Sequence, residues 1–197
     1  MTVSYQPWVV MNSKSVKAAK QSRYGCLEHL LHLLFGGIEF SMSKGPAKII
    51  IVRHAEKPAS RAPHLALRGR MRAIGLSKLL PKIVKADFVF ASTSTKHSAR
   101  PYQTIRLTAD RMGIDVSTTY ADRDIKKIVK DLRKKQFNGK TVLVCWHHGM
   151  MPKLIRELGH ESPYEPWPED LYDRIICIDR DGIKNLPQRL LFGDTLD

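Results

Sequence analysis

The stretch Ile49-Ile50-Ile51-Val52-Arg53-His54-Ala55-Glu56 decides how the chain reads: four branched apolar residues run straight into an arginine, a histidine and a glutamate. An uninterrupted apolar run of this kind is the pattern of a strand buried on both faces, and polar residues at its end are where ligands bind in open parallel sheets. Three more such runs follow, Phe88-Val89-Phe90-Ala91, Thr141-Val142-Leu143-Val144-Cys145 and Ile175-Ile176-Cys177-Ile178. Helical periods separate them. Ala73, Leu76, Leu79 and Leu80 mark one helix whose limits Gly75 and Pro81 blur, and a second starts near Arg100 and stops at Gly113. Ile125, Ile128, Val129 and Leu132 stand at i, i+3, i+4 and i+7, and Leu154, Ile155 and Leu158 precede Gly159. A short strand is expected near Ile114 to Val116, and Pro163, Pro166 and Pro168 make a rigid loop before Ile175. Strands alternating with helices predict a three-layer α/β/α sandwich with a mostly parallel central sheet.

The 197 residues suffice for one well-packed domain, and a hydrophobic content of 43% excludes a disordered or collagen-like chain. The longest apolar run, around Leu30 to Ile38, is broken by His32 and Gly36-Gly37 and falls short of the roughly 20 residues that span a bilayer. Cys26, Cys145 and Cys177 are few, odd in number and without paired spacing, which fits a reducing, cytoplasmic compartment and buried thiols. Residues 1–44 differ from the rest: Ser/Lys-rich, then briefly amphipathic, ending before Gly45-Pro46. They read as an extension outside the fold, or as an upstream start with Met42 the true initiator, leaving residues 45–197 as the folded domain.

The formal charge is +14, of which residues 1–44 supply only +3, from five cations against Glu28 and Glu39. The excess belongs to the fold and attracts anions, phosphorylated compounds among them. The run Lys126, Lys127, Lys130, Arg133, Lys134 and Lys135 lies opposite the apolar stripe of its helix, as a solvated face does. No aromatic residue interleaves with it and no nucleic-acid motif accompanies it, so nucleic acid is not the expected partner.

Three strand ends converge on one chemistry. The first delivers Arg53, His54 and Glu56; the second leads through Ser92-Thr93-Ser94-Thr95 to Arg100; the third delivers His147-His148-Gly149. A neutral imidazole is a good nucleophile near pH 7, and a phosphohistidine splits a difficult hydrolysis into two steps. The guanidinium fork binds phosphate oxygens in bidentate fashion and stabilises their charge in the transition state. Neither a Cys pair nor an acidic cluster suggests a metal site, and no cofactor is expected.

These residues carry a resemblance. The motif IIIVRHAE resembles the opening motif of the histidine phosphatase superfamily, the phosphoglycerate mutase-like fold. Arg100-Pro101-Tyr102-Gln103-Thr104 resembles its second-arginine motif and VLVCWHHG its second-histidine motif, in order over residues 47 to about 180. Pro187-Gln188-Arg189-Leu190-Leu191-Phe192-Gly193-Asp194 is similar to an ending found in small bacterial members.

The resemblance implies that His54 is the phosphorylated nucleophile and that Arg53 and Arg100 clamp the phosphoryl group beside a second histidine. Position after the strand favours His147 for that histidine; the His-Gly pairing favours His148, which is taken as the catalytic one with His147 as a phosphate contact. The proton donor implied is a carboxylate between the second arginine and the second histidine, Asp124 or else Asp122, with Glu56 as a rival donor or as a support for Arg53. The loop STSTKHSAR departs from the family pattern, lacking a Ser-Pro step and adding His97, which is read as facing water. The expected activity is that of a metal-independent phosphatase acting on a small phosphorylated substrate or a phosphoprotein. A mutase-type phosphotransferase and a catalytically silent phosphate-binding module are the alternatives, and Trp146 and Trp167 are either pocket walls or core.

Overall fold

The structure, a computed structural model, describes residues 45–60 and 62–195. The expectations for residues 1–44, with Cys26 and Met42, lie outside the described residues. The chain runs β1 (Lys48–Arg53), α1 (Leu67–Ile83), β2 (Phe88–Ala91), α2 (Arg100–Met112), β3 (Val116–Ser117), α3 (Ile125–Leu132), β4 (Thr141–Trp146), α4 (Met151–Glu157), β5 (Arg174–Asp179) and β6 (Gly182–Pro187). All four apolar runs are strands. The sheet order is β3-β2-β4-β1-β5-β6.

Alternation along each strand builds two cores, because successive side chains point to opposite faces. Ile50, Val52, Leu143, Cys145, Ile175 and Cys177 pack with Leu76 and Leu80 of α1 and Ile105 and Ala109 of α2. Ile49, Ile51, Val142, Val144, Trp146, Ile176 and Ile178 pack with all four apolar-stripe residues of α3 and with Leu154 and Ile155 of α4. Trp146 and Trp167 belong to this second core, each at most 3% exposed. Cys145 and Cys177 are buried free thiols. The basic residues from Lys126 to Lys135 face solvent, as their helix period requires.

Strands β1 to β4 run parallel. The Ile175–Ile178 run, read as one more parallel strand, instead pairs antiparallel with β1, and β6 returns antiparallel to it. The cause lies in the connection. Residues 158–173 carry the chain back to the edge where β1 ends, as the contacts of Arg53 with Pro168, Glu169 and Leu171 show, so β5 must descend. Helix α1 runs through both Gly75 and Pro81, Pro81 falling in its last turn. Helix α2 has proline in its first turn and ends on Gly113 at φ 67°, a left-handed cap that glycine adopts without steric cost.

Candidate active site

Register assembles the site. Arg53 pairs with Trp146 across β1 and β4, so the next residues, His54 and His147, leave adjacent parallel strands side by side. The backbone N–H of His54 donates to the carbonyl of Trp146 at 2.9 Å, and the two imidazoles meet edge-on with centroids 5.0 Å apart. His148, one residue into a 3-10 turn, stands farther off, at 6.5 Å. Proximity thus sets His147 ahead of His148.

His54 is 2% exposed, and its Nδ1 lies 2.7 Å from the carbonyl oxygen of Ala55. A carbonyl only accepts, so the neutral ring carries its proton on Nδ1 and its lone pair on Nε2. The loop that shapes this turn is pinned from α2: Ala55 N–H donates to Thr104 Oγ1, which itself donates to the Arg100 carbonyl. Burial, followed by the fields of His147, Arg53 and Arg100, pulls the His54 pKa down to about 2 despite the Ala55 contact, which keeps the ring neutral.

Arg53 is fully buried, and its guanidinium is held by the loop before β5. Nη1 donates to the carbonyls of Pro168 and Leu171 at 2.8 and 3.0 Å, Nη2 to that of Glu169 at 2.7 Å, and Cζ sits 3.8 Å from the centroid of the Tyr172 ring. Arg100 donates from Nη1 to the Ala62 carbonyl at 2.9 Å. Each arginine leaves its Nε buried without a hydrogen-bond partner. Burial lowers the pKa of both, Arg53 to about 10, yet both remain cations at neutral pH. Lys57, Lys96, His97, Arg100, Glu169, Asp170 and Tyr172 line a cavity of about 770 Å³ at this edge, and the exposed His97 stands on its rim.

The three carboxylates suggested as proton donors separate clearly. Asp122 Oδ1 lies 3.4 Å from His147 Nδ1, both atoms buried and neither engaged in a hydrogen bond, while His147 Nε2 meets Ser98 Oγ at 3.0 Å. Burial raises the Asp122 pKa to about 6 and lowers that of His147 to about 4. Asp124 instead turns its carboxylate to the backbone N–H of Ala121 at 3.1 Å, closing the turn before α3. Glu56 is bound by Arg72 and Arg68, its Oε1 2.8 Å from Arg72 Nη2 and 3.0 Å from Arg68 Nε. It makes no hydrogen bond to Arg53. Arg72 also donates to Asp194 and Gln188, and Asp194 accepts from the backbone of Leu190 and Leu191. Glu56 thus sits in a largely buried ionic cluster.

No protein-family model matches the chain, and no curated protein does. Among solved structures it is similar to a candidate alpha-ribazole-5′-P phosphatase from Escherichia coli str. K-12 substr. MG1655, with a TM-score of 0.51 and 19% identity over 72% of this chain and 95% of that one. It is also similar to a candidate phosphohistidine phosphatase SixA from Agrobacterium tumefaciens, at TM-score 0.50 and 18% identity over 72% and 96% of the two chains. The chain has the histidine phosphatase fold.

Within the histidine phosphatase fold, then, Arg53, His54, Arg100, His147 and His148 gather at the carboxyl edge of the sheet, whereas Asp124 and Glu56 turn to structural partners. Sequence reasoning missed Ser98, Tyr172 and the Arg72 cluster. Gln188 and Asp194 carry a signal only as part of the terminal motif, and Tyr172 sits in a loop after three prolines whose path residue types do not reveal. Among the described residues no group of three or more His, Cys, Asp or Glu is placed to hold a metal, and no helix is long and apolar enough to cross a membrane.

Proposed function

We propose that the protein is a phosphatase that hydrolyses phosphate monoesters or a phosphohistidine through a phosphohistidine at His54, without a metal. One observation carries this reading. Two arginines, Arg53 buried and Arg100 half-buried, each with a buried, unpartnered Nε, stand beside a neutral histidine whose Nε2 holds the lone pair. Such an arrangement is suited to a phosphoryl group and to little else.

In the first step His54 Nε2 attacks phosphorus in line with the leaving oxygen; the N–P bond forms as the P–O bond breaks, and Asp122 gives its proton to the departing oxygen. Arg53 and Arg100 stabilise the charge on the equatorial oxygens. Water then attacks the phosphohistidine, Asp122 takes its proton, and phosphate leaves with His54 regenerated. His147 takes the part of the second histidine, on its distance from His54 and its contact with Asp122. A phosphohistidine substrate, with imidazole as leaving group, needs less help from the acid.

The test is hydrolysis of para-nitrophenyl phosphate in excess EDTA by the wild type and by His54→Ala. Chelator-resistant turnover, lost in the variant, together with acid-labile, base-stable phosphate on the trapped wild type, is the expected result. Turnover that survives in His54→Ala, or no turnover on para-nitrophenyl phosphate, alkyl phosphates or a phosphohistidine peptide, overturns the reading.

A further inference from the structure

Among the described residues, the large apolar side chains left exposed are concentrated on one helix. Leu67, Met71, Ile74 and Ile83 of α1 are 46 to 76% exposed, while only Leu186 and Phe192 are comparably exposed elsewhere. Leu67, Met71 and Ile74 are spaced i, i+4 and i+7, so they form one stripe along the helix. Beside the stripe the α1–α2 junction opens into a groove of about 750 Å³, floored by Leu65 and Ala73 and walled by Ile74, Tyr102 and Leu107. Gln103 and Ala99 carry the groove to the neighbourhood of Arg100. Stripe and groove make one apolar track on an otherwise charged surface, which is how interaction sites present themselves.

Charge selects the occupant. Helix α1 contains no Asp or Glu in its 17 residues, and the side chains of Arg70, Lys78 and Lys82 form no ion pair among the described residues. Arg70 and Arg106 stand on the rim of the groove. A second copy of the chain would bring the same cations against these, on top of a formal charge of +14 on each molecule, so self-association on this face is opposed. An amphipathic helix with acidic flanks satisfies both halves of the surface, its apolar residues at i, i+4 and i+7 meeting the track and its carboxylates meeting Arg70 and Lys78.

We infer that the α1–α2 face is a docking surface for an acidic amphipathic helix of a partner protein. The inference does not depend on the chemistry assigned to His54. The seventeen residues of α1 extend about 25 Å at 1.5 Å per residue, so a partner helix of four turns covers the track.

The probe is a fluorescein-labelled 18-residue helical peptide with Leu at i, i+4, i+7 and i+11 and Glu on the flanks. Two controls accompany it, one of identical composition with the leucines scrambled and one with Lys in place of Glu. Fluorescence anisotropy on the full chain at 0.15 M salt is expected to show the designed peptide binding at least tenfold tighter than either control. Met71→Glu and Ile74→Glu should each weaken it tenfold or more, with thermal stability and phosphatase turnover unchanged because both side chains are exposed and outside the catalytic machinery. Arg70→Glu should shift preference toward the Lys peptide. Equal binding of the scrambled peptide, or indifference to Met71→Glu and Ile74→Glu, overturns the inference in favour of unspecific attraction. A wild-type dimer in sedimentation velocity that Met71→Glu dissociates overturns it in favour of a second copy.

Discussion

His54 and His147 lie edge-on, 5.0 Å between ring centroids at an interplanar angle of 69°, each just beyond the end of one of two adjacent parallel strands. The arrangement follows from backbone register, so it tolerates little adjustment. His54→Ala is expected to remove turnover, and His147→Ala to lower kcat by about 10²- to 10³-fold, the range for loss of a transition-state donor. His148→Ala should cost less than about tenfold, its ring lying 6.5 Å from His54. Steady-state kinetics on the three variants decides the matter; a larger loss for His148→Ala than for His147→Ala would return the role to His148.

The carboxyl of Asp122, raised by burial to about 6, must be protonated to serve as donor. Turnover of alkyl phosphates is therefore expected to fall as pH rises through about 6, whereas substrates with good leaving groups should show a shallow limb. Asp122→Asn should flatten the profile and slow alkyl phosphates by about 10²- to 10⁴-fold. An unchanged profile in the variant excludes Asp122.

Stability carries the same groups with opposite signs. Between about 4 and about 6 folded Asp122 holds a proton that the unfolded chain releases, so this group makes stability decline as pH rises through that window. His54 does the reverse: below 6.5 the unfolded imidazole takes up a proton that the folded one refuses until about 2, so its contribution is full above 6.5 and fades as pH falls. In thermal unfolding, Asp122→Asn should gain relative to wild type at pH 7.5 compared with pH 4. His54→Ala should gain at pH 4 compared with pH 7.5. Curves that stay parallel to wild type contradict the assignment.

Arg72 is 2% exposed at its side chain and pairs with Glu56 and Asp194, themselves 11% and 3% exposed. Burial opposes its charge, but the hydrogen bonds it donates to Asp194 and Glu56 outweigh that and hold the guanidinium more firmly charged than usual. Arg72→Met strands two buried carboxylates and is expected to cost about 3–5 kcal/mol in urea unfolding, as for other broken buried pairs. Asp194→Asn, which keeps an acceptor, should cost less.

Gly69 lies where α1 crosses the loop after His54, and a Cβ there would come within 2.6 Å of the Glu56 carbonyl oxygen and 2.9 Å of its nitrogen. Those are backbone atoms, so the loop itself must give way. Gly69→Ala should destabilise by about 1–3 kcal/mol and reduce kcat with little change in KM for a small phosphate ester. A variant with wild-type kinetics would show that the loop moves freely.

Much of this was legible in residue types. The run Ile49 to Val52 announced β1, the stripe Ile125, Ile128, Val129 and Leu132 is the buried face of α3, and the residues at three strand ends do converge. What escaped was whatever depends on direction in space. Whether Ile175 begins a parallel or an antiparallel strand is set by the path of residues 158–173, and β6 is an edge strand with alternating exposure and no apolar run. Which of His147 and His148 stands nearer His54 turns on one residue of register, and which of Asp122 and Asp124 faces His147 on the direction of a turn; neither is encoded in the identity of neighbours that are chemically alike.

The bond from Arg72 to Asp194 spans 122 positions of the chain. It anchors Glu56, two residues from His54, to a segment that lies beyond every strand of the sheet. A contact of such separation forms only once the long intervening stretch of chain has been closed, at an entropic cost. The brace beside His54 thus exists only when both ends of the described domain have met: a chain nicked part-way would hold that histidine on an unbraced loop, and the geometry of the site becomes a report on the integrity of the whole domain.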